Sequence, residues 1–169
     1  MLIKSVRGFT PKYGKNCFFA ENATLIGHLI MGDDCSIWYQ AVVRGDVNSI
    51  TIGNRVNIQD GAIIHGTYER SATTIGDDVS IGHNAIVHGC NIKDRVLIGM
   101  GSIIMDDSVV ESNSIIAAGS VLPKNTIVPE GSVFAGIPAK KIKEISPELQ
   151  QGKIERIAAN YIEYASWFR

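Results

Sequence analysis

The chain has 169 residues, with Lys+Arg 16 against Asp+Glu 17 and a formal net charge of -1, which suits one ordinary domain spanning residues 1–169. A charge so balanced, with no block of like sign, gives no electrostatic case for a nucleic-acid or membrane partner and leaves a small molecule as the expected ligand. No run approaches the roughly 18 apolar residues of a membrane span, and the opening MLIKSVRGFTPKYG lacks a signal-peptide core, so a soluble, cytoplasmic protein is expected.

From Leu25 onward an aliphatic residue recurs at every sixth position. The series runs Leu25, Met31, Ile37, Val43, then Ile52, Ile58, Ile64, then Ile75, Ile81, Val87, and from Ile92 to Phe134. A small or β-branched residue follows four places later, as at Cys35, Ala41, Val56, Ala62, Val79 and Ala85. A six-residue period fits neither a helix nor an alternating strand, so each hexapeptide reads as a short strand plus a turn. Three hexapeptides make one triangular coil, and stacked coils bring parallel strands to about 4.8 Å spacing over a continuous aliphatic core. This pattern resembles the left-handed parallel β-helix of hexapeptide-repeat proteins over about residues 10–140; the hand is implied by the resemblance and not by the spacing. The fold class expected is mainly β, a left-handed parallel β-helix followed by a C-terminal α-helix. Cys17 and Cys35 then stack in adjacent coils as packing residues, and with Cys90 show no CxxC spacing, so free thiols are expected.

Three steps break the period. From Val43 to Ile52 the step is nine, so GDVNS is expected to bulge outward; from Ile64 to Ile75 it is eleven, so the loop around GTYERSA projects; from Val87 to Ile92 it is five. A regular scaffold breaks its rule where function needs a loop. The run Gly136-Ile137-Pro138-Ala139-Lys140 resembles the exit sequence common in hexapeptide-repeat proteins. Beyond it, Ser146 is a candidate N-cap with Pro147 at the first helical position. Leu149, Ile154, Ile157, Ala158, Tyr161, Ala165 and Phe168 recur near helical spacing, which predicts an amphipathic helix over about 147–169, laid against the β-helix of its own or a neighbouring subunit.

Counting hexapeptides through the insertions aligns the histidines. Val43, Ile64 and Val87 are three steps apart, one coil each, so Arg44, His65 and His88 form one outward column. Ile58 and Ile81 are also one coil apart, so Asp60 and His83 form a second column on another face, with Gln59 beside Asp60. Two imidazoles one strand spacing apart can share a metal. In a closed cyclic trimer the first column of one chain meets the second column of its neighbour, which supplies His83 as a third ligand and sets Arg44 against the neighbour's Asp60. His28 lies outside this arrangement.

The order Arg44-Gly45-Asp46, Asn57-Ile58-Gln59-Asp60-Gly61, His65 and His83-x4-His88 resembles the γ-class carbonic anhydrases. The resemblance implies a homotrimer in which His65 and His88 of one subunit and His83 of the next bind Zn2+, with Fe2+ or Co2+ suited to the same ligands. Three histidines and an open position make a catalytic zinc set, which lowers the pKa of bound water and supplies hydroxide to carbon dioxide, yielding bicarbonate. By the same resemblance Gln59 orients the hydroxide or bicarbonate, Arg44, Asp46 and Asp60 form an interfacial ion network, and Asn57 and Tyr161 are supporting or pocket groups. Val47 stands where the most active members carry a glutamate, and the loop after His65 lacks an acidic shuttle, with Glu69 out of register, so slow turnover is expected. A metal-dependent thioesterase or other hydrolase, a hexapeptide acyltransferase and a catalytically weak metal-holding homologue are the alternatives on this scaffold.

Overall fold

The structure, a computed structural model, describes residues 1–168. The chain winds into a parallel β-solenoid of about seven turns, as the hexapeptide period predicts. Each short strand sends its periodic aliphatic residue inward, and three ladders result. Leu25, Val43, Ile64, Val87, Ile104 and Leu122 stack in register on the first face. Met31, Ile52, Ile75, Ile92, Val110 and Val128 stack on the second. Ile37, Ile58, Ile81, Ile98, Ile116 and Phe134 stack on the third. Nearly all are fully buried, so the core is one continuous column of branched side chains rather than a globule, and each coil depends on the coils above and below.

The third face is a separate sheet, whereas the first two join into one because the strands Thr24–Met31 and Val42–Ile52 run unbroken around their shared corner. The GDVNS insertion is therefore not a free loop. It is carried as an irregularity inside Val42–Ile52, where Gly27 pairs with Gly45 but Leu29 already pairs with Ile50, and its residues stay half-buried. The GTYERSA segment does project, closed at its base by the Thr67–Ser71 bridge. Two segments outside the repeat cover strand edges that would otherwise stay open: Leu2–Lys4 pairs in parallel with Thr24–Ile26 at the first coils, and Ala139–Glu144 returns antiparallel along Ser132–Gly136 at the last. Cys17, Cys35 and Cys90 are free, with Cys35 and Cys90 buried.

Ser146 caps the C-terminal helix, its Oγ accepting from the Leu149 N–H at 3.3 Å. The helix is less uniform than its periodicity predicts: Pro147–Leu149 is α, Gln150–Glu155 is π, and Arg156–Ser166 is α again. The cause lies in the spacing of its anchors. Leu149 and Ile154, five residues apart, join one apolar cluster with Ile115 and Val133, and a π turn brings residues at that separation to one side. Farther along, Tyr161 meets Trp38 edge-on at 5.2 Å and Phe168 packs on Phe18 and Trp38. The helix thus runs back over the third face of its own subunit, from the last coils toward the first; its expected end at Arg169 lies outside the described residues.

Candidate metal centre

The ladder that stacks Val43, Ile64 and Val87 inward turns the next residue of each strand outward, because side chains alternate along a strand. His65 and His88 are direct register partners. Their rings meet edge-on, with His65 Nδ1 3.2 Å from His88 Nε2. Two nitrogens at the usual zinc distance, subtending a tetrahedral angle, stand about 3.3 Å apart, so this separation suits one shared ion. Each ring is held from its far side by a carboxylate. Asp46 Oδ1 lies 3.0 Å from His65 Nε2, and Asp106 Oδ1 lies 2.7 Å from His88 Nδ1. Arg44, the third member of the column, donates to the other Asp46 oxygen at 2.5 Å. Carboxylates on the non-ligating nitrogens are what a histidine metal site uses to fix ring orientation.

The second column stands on the third face. His83 Nδ1 lies 2.8 Å from Asp60 Oδ2 in the coil below, and both side chains are about two-fifths exposed. Beneath the helix, buried Gln59 donates to Asn57 Oδ1 at 3.0 Å, and Asn57 donates in turn to Ser80 Oγ at 2.7 Å. Gln59, His83 and Tyr161 line one end of a groove between helix and solenoid. All three outward histidines of the Arg44–His88 stretch therefore have a carboxylate beside one ring nitrogen, whereas His28 lies flat against Phe9 with ring centroids 4.2 Å apart. One chain brings together Arg44, Asp46, His65 and His88 on one side, and Asn57, Gln59, Asp60, His83 and Tyr161 on another. Among the described residues of one chain, no group of three or more His, Cys, Asp or Glu side chains converges to hold a metal.

The electrostatics keep these roles distinct. Burial lowers the His65 pKa, outweighing the nearby Asp46 carboxylate, so the ring is neutral and able to ligate at pH 7. Burial works to raise the Asp46 carboxyl, but hydrogen bonds with His65 and Arg44 prevail and hold it below the ordinary carboxylate range. Tyr161 is pushed up to about 12, first by burial and then by the Asp60 and Tyr164 charges, so its phenol stays protonated.

Comparison with known proteins identifies the family and the fold. The bacterial transferase hexapeptide family (six repeats) matches over residues 89–124. A carbonic anhydrase of Geobacillus kaustophilus is 38% identical over 168 residues, spanning 99% of this chain and 91% of its own. Gamma carbonic anhydrase 2 of Arabidopsis thaliana mitochondria is 40% identical over 161 residues, 92% of this chain and 58% of its own. The chain belongs to the gamma carbonic anhydrase family. Its fold also superposes on the crystal structure of a Bacillus cereus protein described as a candidate acetyltransferase, with a TM-score of 0.95 and 36% identity over 99% of this chain and 96% of that one.

Sequence reasoning missed Asp106, Thr67 and Lys124. Asp106 belongs to the coil above His88 and accepts from Thr67 Oγ1 at 3.1 Å and Lys124 Nζ at 3.0 Å as well as from His88. The available signal was Gly89. A Cβ built there would collide with the Asp106 carboxylate and with Ser71, so the glycine beside His88 marks the space that the carboxylate fills.

Proposed function

We propose that this protein is a zinc-dependent carbonic anhydrase whose sites lie between subunits of a homotrimer, with His65 and His88 from one chain and His83 from the next. The observation that carries the reading is the 3.2 Å approach of His65 Nδ1 and His88 Nε2, each ring fixed by its own carboxylate. When bound, zinc would lower the pKa of a coordinated water toward about 7 and so provide the nucleophile for carbon dioxide. The chain's own residues do the rest. His65 stays neutral, Asp46 and Arg44 fix its ring, and Asp60 fixes that of His83. Gln59, whose amide is anchored on Asn57, presents a polar group at the end of the groove to orient bicarbonate. Tyr161 stays a neutral phenol and contributes apolar surface that excludes water. Cytoplasmic operation fits the reading; no helix among the described residues is long and apolar enough to cross a membrane.

One measurement tests the core of this reading. Anaerobically purified protein is analysed for metal and assayed for carbon dioxide hydration, alongside His65→Ala and His88→Ala. Stoichiometric zinc with hydration activity, both lost in the variants, supports it; full zinc content in either variant overturns it.

A second reading draws on the groove beside Gln59, His83 and Tyr161. Its volume is about 560 Å³, with Leu97, Ile115, Val133 and Ile142 among its walls, far more apolar room than carbon dioxide needs. A zinc hydrolase acting on acyl thioesters would use that room. A panel of short and medium acyl thioesters, assayed on the same zinc-loaded sample, separates the two activities.

A further inference from the structure

Among the described residues, Asp106 is the one charged residue that is buried, with its side chain about 8% exposed. Burying a carboxylate is costly unless its lone pairs are satisfied by good donors. Here the donors come from three separate coils: His88 Nδ1 at 2.7 Å and Thr67 Oγ1 at 3.1 Å on Oδ1, and Lys124 Nζ at 3.0 Å on Oδ2. Gly89 has φ +54° and no Cβ, and any larger residue would occupy the position of the carboxylate. The neighbouring Asp107 accepts from Ser71 Oγ at 2.7 Å, so the aspartate pair also pins the projecting 66–72 loop. A charge buried at this expense, aimed at one nitrogen of one imidazole, has a directional purpose that packing alone would not require.

We propose that Asp106 is the positioning residue for His88: its carboxylate holds the imidazole in the tautomer with hydrogen on Nδ1 and so presents the Nε2 lone pair toward His65. A neutral imidazole carries one N–H and one lone pair, and the partner of one nitrogen decides which side is free to ligate. Lys124 and Thr67 hold the carboxylate, so the ring is ordered before any metal arrives. The proposal rests on His88 being a metal ligand, and its test separates the two claims.

The first readout needs no metal. Long-range 15N–1H spectra of the imidazoles are recorded on metal-free protein at about pH 8, above the ordinary imidazole pKa of about 6.5. They are expected to show His88 almost wholly as the Nδ1–H tautomer. Asp106→Leu removes the acceptor and should leave a mixture of tautomers. Asp106→Asn keeps an acceptor oxygen in place and should restore most of the wild-type pattern, and Asp106→Ala, which also removes the acceptor, replaces the leucine variant if that one does not fold. Lys124→Met should leave the tautomer unchanged. The second readout is zinc affinity by chelator competition, expected to fall about 10- to 100-fold in Asp106→Leu and less in Asp106→Asn. A wild-type tautomer in folded Asp106→Leu, or a wild-type His88 already carrying its hydrogen on Nε2, overturns the proposal. Where Asp106→Ala stands in for the leucine variant, a wild-type tautomer in it likewise overturns the proposal. A shifted tautomer in Asp106→Leu with unchanged zinc affinity would keep the positioning role and remove His88 from the ligand set instead.

Discussion

The proposed division of the site between chains has an arithmetic consequence that a mixing experiment can read. Take two variants, His83→Ala, which damages the second column, and His88→Ala, which damages the first. Each alone has no complete site. In trimers assembled at random from equal amounts of both, a site is intact only when the His65–His88 side comes from a His83→Ala subunit and the facing side from a His88→Ala subunit. Each condition holds about half the time, so about one quarter of all sites are rebuilt. The geometry adds a control. His65 and His88 are register partners on one chain, so mixing His65→Ala with His88→Ala rebuilds none. Co-expression with two distinct tags, isolation of doubly tagged protein and measurement of zinc per subunit and hydration rate complete the assay, with the expected fraction recalculated for the selected mixtures. Activity in either variant alone, or no recovery in the first mixture, would refute the two-column arrangement.

Replacing Ile98 by Ala, fully buried in the third ladder between Ile81 and Ile116, should cost about 2–5 kcal/mol, because strands pinned on both sides cannot close the cavity; urea titration with an unchanged m-value checks it. Gly82→Ala should destabilise the fold and displace His83, since a Cβ there meets the backbone of Gly99 and Met100 in the next coil; thermal unfolding and zinc content should fall together. The pH dependence follows from signs. His65 is lowered from 6.5, so below about pH 6.5 the unfolded chain binds a proton that folded His65 resists, and stability of the metal-free protein declines as pH falls. Asp46, lowered from 3.8, contributes stability that is present above about pH 3.8 and lost as pH falls through its folded value. Equilibrium unfolding across pH 8 to 3 should show the first decline in wild type but not in His65→Gln.

Much of this candidate site was legible because insertions in a solenoid do not change coil count. Counting hexapeptides rather than residues put Val87 on Ile64 despite an eleven-residue step, and the observed pairing of His88 with His65 is that count made physical. The aspartates beside the rings were legible only in part. Asp60 belongs to the second column itself, so the count reached it, whereas Asp46 was reached only through the resemblance carried by Arg44-Gly45-Asp46. Asp106 sits in an Asp-Asp turn one coil higher, and aspartates are common at solenoid corners, where Asp34, Asp78 and Asp107 all take left-handed backbone angles simply because that residue tolerates them. Composition cannot distinguish a corner aspartate from one that turns inward onto a histidine. What distinguishes it is the residue beneath: Gly89, the one position beside His88 where a side chain would fill the carboxylate's place. In a stacked fold the informative unit is therefore the vertical pair, a glycine under an acid, and a reading made along the chain alone misses it.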